Sequence, residues 1–94
     1  MQADTLPADW IPALQRPFRL QWEEAQQCHV LLYPEGMVKL NLSAGEILKR
    51  ADGQRRLQQI IEELTTAFPQ AGDIRADIRE FLAEACDKGW VQAP

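Results

Sequence analysis

LLYPEGMVKLNLSAGEIL, residues 31–48, decides the fold, because it sets a turn, a strand and a helix start in one unbroken run. Pro34 presets φ for the first turn position and Gly36 can take the left-handed conformation, so PEG reads as a hairpin turn after the strand-forming CHVLLY, residues 28–33. A three-residue loop closed by a left-handed glycine sets Tyr33 opposite Met37, Leu32 opposite Val38 and Val30 opposite Leu40. This register predicts Val30, Leu32, Val38 and Leu40 on the core face. The mixed opposite face takes His29, Leu31, Tyr33, Met37, Lys39 and Asn41. Immediately downstream, Ser43 and Glu46 read as an S-x-x-E capping box, with Leu42 and Ile47 as a hydrophobic staple. A helix is expected from about Ala44, ending near Gly53 after about two turns.

Working outward, FRLQW (18–22) alternates, with Phe18, Leu20 and Trp22 on one side, as a half-buried strand does. Residues 1–17 carry Pro7, Pro12 and Pro17 among Trp10, Ile11 and Leu14, which predicts an irregular arm before a domain of residues 18–94. Its aromatic content implies docking, either on its own domain or on a second copy. Toward the C-terminus, Leu57, Ile60, Ile61, Leu64 and Phe68 recur at helical spacing before Pro69, giving a helix over 56–68. Another is expected over 73–88, from Asp73 as N-cap, through the stripe Ile74, Ile78, Phe81, Leu82 and Ala85, to Gly89. Trp90 and Val91 are expected to fold back on the core. Three strands followed by three helices make an α+β domain with a three-stranded antiparallel sheet, like a winged helix-turn-helix.

Composition narrows the function. Of 94 residues, 46% are hydrophobic and 26% charged, the balance of a single soluble globular domain too small for a deep cofactor cavity. The net charge of −4 argues against affinity won by neutralising nucleic-acid phosphates. Cys28 and Cys86 form no CxxC pair and read as free thiols, and the N-terminus shows neither a signal peptide nor a membrane span, which together predict a cytoplasmic protein. There is no Gly-rich phosphate loop, no metal-ligand spacing and no nucleophile beside a base, so neither enzyme, cofactor nor metal site is expected. His29 reads as a rim residue, Cys86 as inert packing, and Asp77, Glu80, Glu84 and Asp87 interleaved with Arg75, Arg79 and Lys88 as a solvated face.

A winged-helix DNA-binding or transcriptional-regulator domain is the alternative reading, with the last helix in the major groove, and the acidic balance weighs against it. The third strand, Met37–Leu42, is a sheet edge with Lys39 as its only charge. Such an edge is either blunted, or used to add a peptide strand.

LLYPEGMVKLN, ILKRADG, QIIEELTTAF, DIREFL and the late GW together resemble the PqqD family of pyrroloquinoline quinone biosynthesis over about residues 16–91. Arg56 stands where the family pattern leads one to expect a Thr cap, leaving the exact start of that helix open. The resemblance implies a peptide chaperone, a RiPP recognition element that holds the precursor peptide PqqA as an added strand. It would present that peptide to the radical S-adenosylmethionine enzyme PqqE, which links a Glu and a Tyr side chain. It further implies a pairing edge at Met37, Val38, Lys39, Leu40 and Asn41, and an opposite wall at Arg75, Ile78, Arg79 and Leu82. Helical spacing equally allows Ile78 and Leu82 to be core. No nucleic acid and no membrane is expected as a partner, and the chain is either a monomer or a homodimer that exchanges a strand or the arm.

Overall fold

The computed structural model describes residues 1–94. Strands β1 (Arg19–Glu23), β2 (Cys28–Tyr33) and β3 (Gly36–Lys39) form an antiparallel sheet in that order. Helices α1 (Leu42–Arg50), α2 (Leu57–Ala67) and α3 (Arg75–Asp87) follow, with 3₁₀ turns at Ala3–Thr5 and Pro69–Ala71. The expected α+β order is therefore present. No helix is long and apolar enough to cross a membrane.

The hairpin differs from expectation by one residue. Tyr33 pairs with Gly36, Leu32 with Met37, Leu31 with Val38 and Val30 with Lys39, so the loop is Pro34–Glu35 alone. Neither loop residue takes a positive φ, so the φ that proline presets suffices for the turn and no left-handed glycine is needed. Gly36 instead pairs inside β3, opposite Tyr33, where an added Cβ would make only ordinary contact, 3.5 Å from the phenol oxygen. Because side chains alternate along a strand, the slip exchanges the faces of β2, while Val38 and Leu40 stay on the core side as expected. Leu20, Leu31 and Val38 align across the sheet and pack on the core. Val30, expected among them, is fully buried on the opposite face, beside Gln21 and Lys39 and outside the main core cluster.

That cluster joins Leu31 and Leu40 to Ile47 and Leu48 of α1, Leu57, Ile60, Ile61 and Leu64 of α2, and Ile78 and Leu82 of α3. The turn from β3 into α1 is capped by Asn41, whose side-chain oxygen accepts from the Ala44 N–H at 2.8 Å. Ser43, expected as the cap, already lies inside the helix, and Glu46 pairs with Arg50 at 2.8 Å instead of closing a capping box. Asn41 wins because the strand ends at Lys39 and its side chain, on an extended backbone, reaches the N–H of Ala44, the third residue of the helix. One turn on, Gly45 allows α1 to approach β2, for a Cβ there would lie 2.7 Å from Nδ1 and 3.2 Å from Cβ of His29.

α2 has an unusual start. Arg56 occupies the cap position, and a guanidinium has no acceptor to offer. Gln59 Oε1 accepts from the Arg56 N–H at 3.0 Å, and the arm supplies the other acceptors. The Leu57 N–H donates to Trp10 O at 2.7 Å and the Gln58 N–H to Ala8 O at 3.0 Å. The arm thus docks on its own chain, burying Leu6, Trp10 and Pro12. It then forms bridges Ala13–Asp52 and Leu14–Val91 before entering β1. The α1–α2 connection is tied by Arg50 and Arg55, which both bond Glu63, at 3.1 and 2.9 Å.

Asp73 sits one residue before the N-cap of α3, Ile74, and accepts from the Arg75 N–H at 3.1 Å. At the other end Gly89, with φ of +75°, closes a Schellman motif in which the Trp90 N–H reaches Ala85 O at 2.9 Å. This turns Val91 into the core and leaves Trp90 half-buried, as expected.

Two substitutions test the α1 junction. Asn41→Ala is expected to cost about 0.5–2 kcal/mol in urea unfolding and Ser43→Ala almost nothing, the reverse of a Ser43 cap. Gly45→Ala is expected to destabilise by about 1–3 kcal/mol, despite alanine's better helix propensity, because the new methyl meets His29. Combining it with His29→Ala should recover part of that loss.

Candidate functional site

β3 is an edge, hydrogen-bonded on one side only. The Leu40 N–H donates to His29 O at 3.0 Å, so the ladder's alternation turns the main chain of Val38 toward β2 and that of Met37 and Lys39 outward. The side chains divide in the same way. Val38 is half-buried and Leu40 buried against the core, while Met37 and Lys39 are exposed. Of the five edge residues expected, Met37 and Lys39 offer free backbone, Val38 and Leu40 hold the strand down, and the Asn41 side chain is occupied by its cap.

The expected wall on α3 divides further. Arg75 lies exposed at the helix start, paired with Asp73 at 2.8 Å. Arg79 donates to Leu6 O at 2.7 Å, so its guanidinium holds the arm. Leu82 is fully buried in the core, which leaves no side-chain surface for a ligand and corrects its placement on the wall. Ile78 is also core, yet it reaches the floor of a cleft. This cleft, of about 270 Å³, opens where the start of α1, the end of α2 and the start of α3 converge. Leu42, Ile47, Leu64, Phe68 and Ile74 line it, with Glu46 and Asp77 at its rim. Sequence reasoning missed Leu42, Phe68 and Ile74 as site residues. The available signal was that Leu42, Phe68 and Ile74 are apolar residues at helix ends, where a stripe runs out of partners to pack against.

The electrostatics are local. Arg75 holds the Asp73 carboxyl down at about 2, by a side-chain hydrogen bond and by its backbone N–H. Burial, then the charge of Asp87, pushes the Cys86 thiol up, in keeping with inert packing. His29 is half-buried and meets Trp22 edge-on, with ring centroids 5.0 Å apart. It packs between sheet and α1 instead of lining a rim. On α3, Asp77, Glu80, Glu84 and Asp87 are exposed while Arg75 and Arg79 are engaged, so the helix offers little to a phosphate backbone.

A depressed carboxyl adds stability that is present above its ordinary pKa of 3.8 and is lost as pH falls toward about 2. Arg75→Gln should raise the Asp73 pKa toward that ordinary value, read by carboxyl-carbon NMR titration. The pair is exposed and screened, so little change in stability at neutral pH should accompany it.

Comparison with known proteins accords with this geometry. The family model described as "Coenzyme PQQ synthesis protein D (PqqD)" matches residues 28–91. A "PqqA binding protein" of Azotobacter vinelandii is 52% identical over 82 residues, covering 87% of this chain and 89% of that one. One from Pseudomonas aeruginosa is 53% identical over 89 residues, covering 94% and 97%. Among solved structures, the PqqD truncation of Methylobacterium extorquens PqqCD, determined by solution NMR, aligns with a TM-score of 0.73 at 32% identity over 98% of this chain and 99% of that one. That truncation is described as a functional and stand-alone RiPP recognition element. With the matched segment running from β2 to Val91 and identities above one half across most of both chains, the protein belongs to the PqqD family.

Proposed function

We infer that this chain binds the precursor peptide PqqA as a fourth strand on β3 and presents it to the radical S-adenosylmethionine enzyme PqqE. The observation that carries the reading is the unpaired β3 edge, where the main-chain groups of Met37 and Lys39 face outward on a strand held from behind by Val38 and Leu40. A paired peptide gains main-chain hydrogen bonds there without disturbing the sheet. The names of the relatives support the same peptide, and the structural neighbour's description as a RiPP recognition element supports peptide binding. The protein carries the peptide and leaves its chemistry to the partner enzyme, in the cytoplasm. The arm docked on its own chain supports the monomer as the binding unit.

Lys39→Pro tests this directly, because it removes an outward N–H and leaves the β2–β3 bonds in place. The variant should remain folded by circular dichroism and lose PqqA binding in calorimetry. Unchanged affinity in the folded variant would contradict the edge model. Binding by the wild type should also weaken only shallowly with salt, whereas a DNA-binding winged helix would show a steep loss.

A further inference from the structure

We propose that β1, the other edge of the sheet, is a self-association surface on which a second copy of this chain pairs antiparallel, joining two three-stranded sheets into one. The strand order leaves β1 bonded on one side only, and no other segment of the chain bonds to its free main chain. The Leu40 N–H bond to His29 O turns the main chain of His29 and Leu31 toward β3, so that of Val30 faces β1 and bonds to Gln21. Leu20 and Trp22, on either side of Gln21, therefore point their N–H and C=O groups outward. Such an edge is commonly blunted by Lys, Pro or a bulge. β1 has none of these: it reads RLQWE, and every residue from Arg19 to Glu23 pairs with β2 in unbroken register.

The order of residues along the strand suits a copy of itself. A twofold axis through Gln21 sets Leu20 opposite the second copy's Trp22, and Arg19 opposite the second copy's Glu23. The Leu20–Trp22 pairs are then of the hydrogen-bonded kind, each exchanging two main-chain bonds. Arg19 and Glu23 alternate with the core-facing Leu20, so they lie on the face of the sheet away from the helices, and neither makes an ion pair within the chain. Sliding the pairing by two residues either way places Gln21 opposite Arg19 or Glu23 and forfeits both ion pairs. Charge thus selects one register. Apolar cover agrees with it. α1 packs over β2, where Gly45 meets His29, and leaves Trp22 46% exposed at the sheet's border, its Nε1 donating to Glu24 at 2.8 Å. The second copy's Leu20 would stand beside that ring on the same face.

One short strand a side is far below the about twenty to thirty residues of a standard interface, so the association is weak and concentration-dependent. Each copy keeps its own arm and its own β3 edge, and the two β3 edges stand at the far ends of the joined sheet.

Sedimentation of the full chain from about 10 µM to about 1 mM should show a monomer–dimer equilibrium, with concentration-dependent amide shifts at Leu20 and Trp22 and none at Met37 and Lys39. Arg19→Glu and Glu23→Arg, each folded by circular dichroism, should separately weaken association by roughly tenfold or more, because like charges then meet at both ends of the pairing. Mixed in equal amounts, the two variants face opposite charges again and should associate as strongly as wild type, which a merely structural defect would not allow. PqqA binding by either variant should stay within twofold of wild type. A larger loss would place β1 in the peptide site and overturn its assignment to a second copy. A chain that stays monomeric at about 1 mM overturns the proposal, as does association that both charge variants leave unchanged or that their mixture fails to restore.

Discussion

The register of the β2–β3 hairpin is the constraint on which the rest of the molecule depends. Closing it over Pro34 and Glu35 brings Leu31 and Val38 together on the side that α1 covers. The same register turns Met37 and Lys39 outward along the free edge. One more residue in the loop would bury the other face, and α1 would no longer find the narrow contact between Gly45 and His29. Core and edge are therefore set by a single choice of turn, made by a proline whose φ needs no left-handed partner.

A small domain buries only part of its surface, and the arm adds to what three strands and three helices bury. Leu6 and Trp10 extend the core over α2 and α3, and the carbonyls of Ala8 and Trp10 satisfy helix donors that Arg56 leaves unmet. Arg79 secures the first turn of the arm through Leu6. These interactions are interdependent: the cap requires the arm in place, and the arm is held by buried side chains and by bonds to both ends of the helical region.

Much of the fold was legible in the sequence because periodicity and punctuation agree. Alternation in FRLQW, the stripe through Leu57, Ile61 and Leu64, and Gly89 after α3 each report a local preference that the tertiary structure keeps. The hairpin register was not legible, since PEG is compatible with either loop length and the strand that follows offers apolar residues on both faces. Ser43 misled because a capping-box pattern competes with Asn41 two residues earlier, and strand length settles that competition. On the site, edge and wall fared differently. An edge strand follows from strand order, but a helix stripe marks what is packed, so Leu82 lies in the core. The cleft is made where helix ends meet, and crossing geometry is not written in any one segment.

The clasp between the arm and the C-terminal turn has a consequence for biosynthesis. The Gln15 N–H donates to Trp90 O at 2.8 Å and the Gln92 N–H to Ala13 O at 3.1 Å, so a segment translated before β1 closes against one translated after α3. The arm therefore cannot complete its contacts until the segment after α3 has been made. The clasp is thus a contact of high sequence separation, the kind that forms slowest.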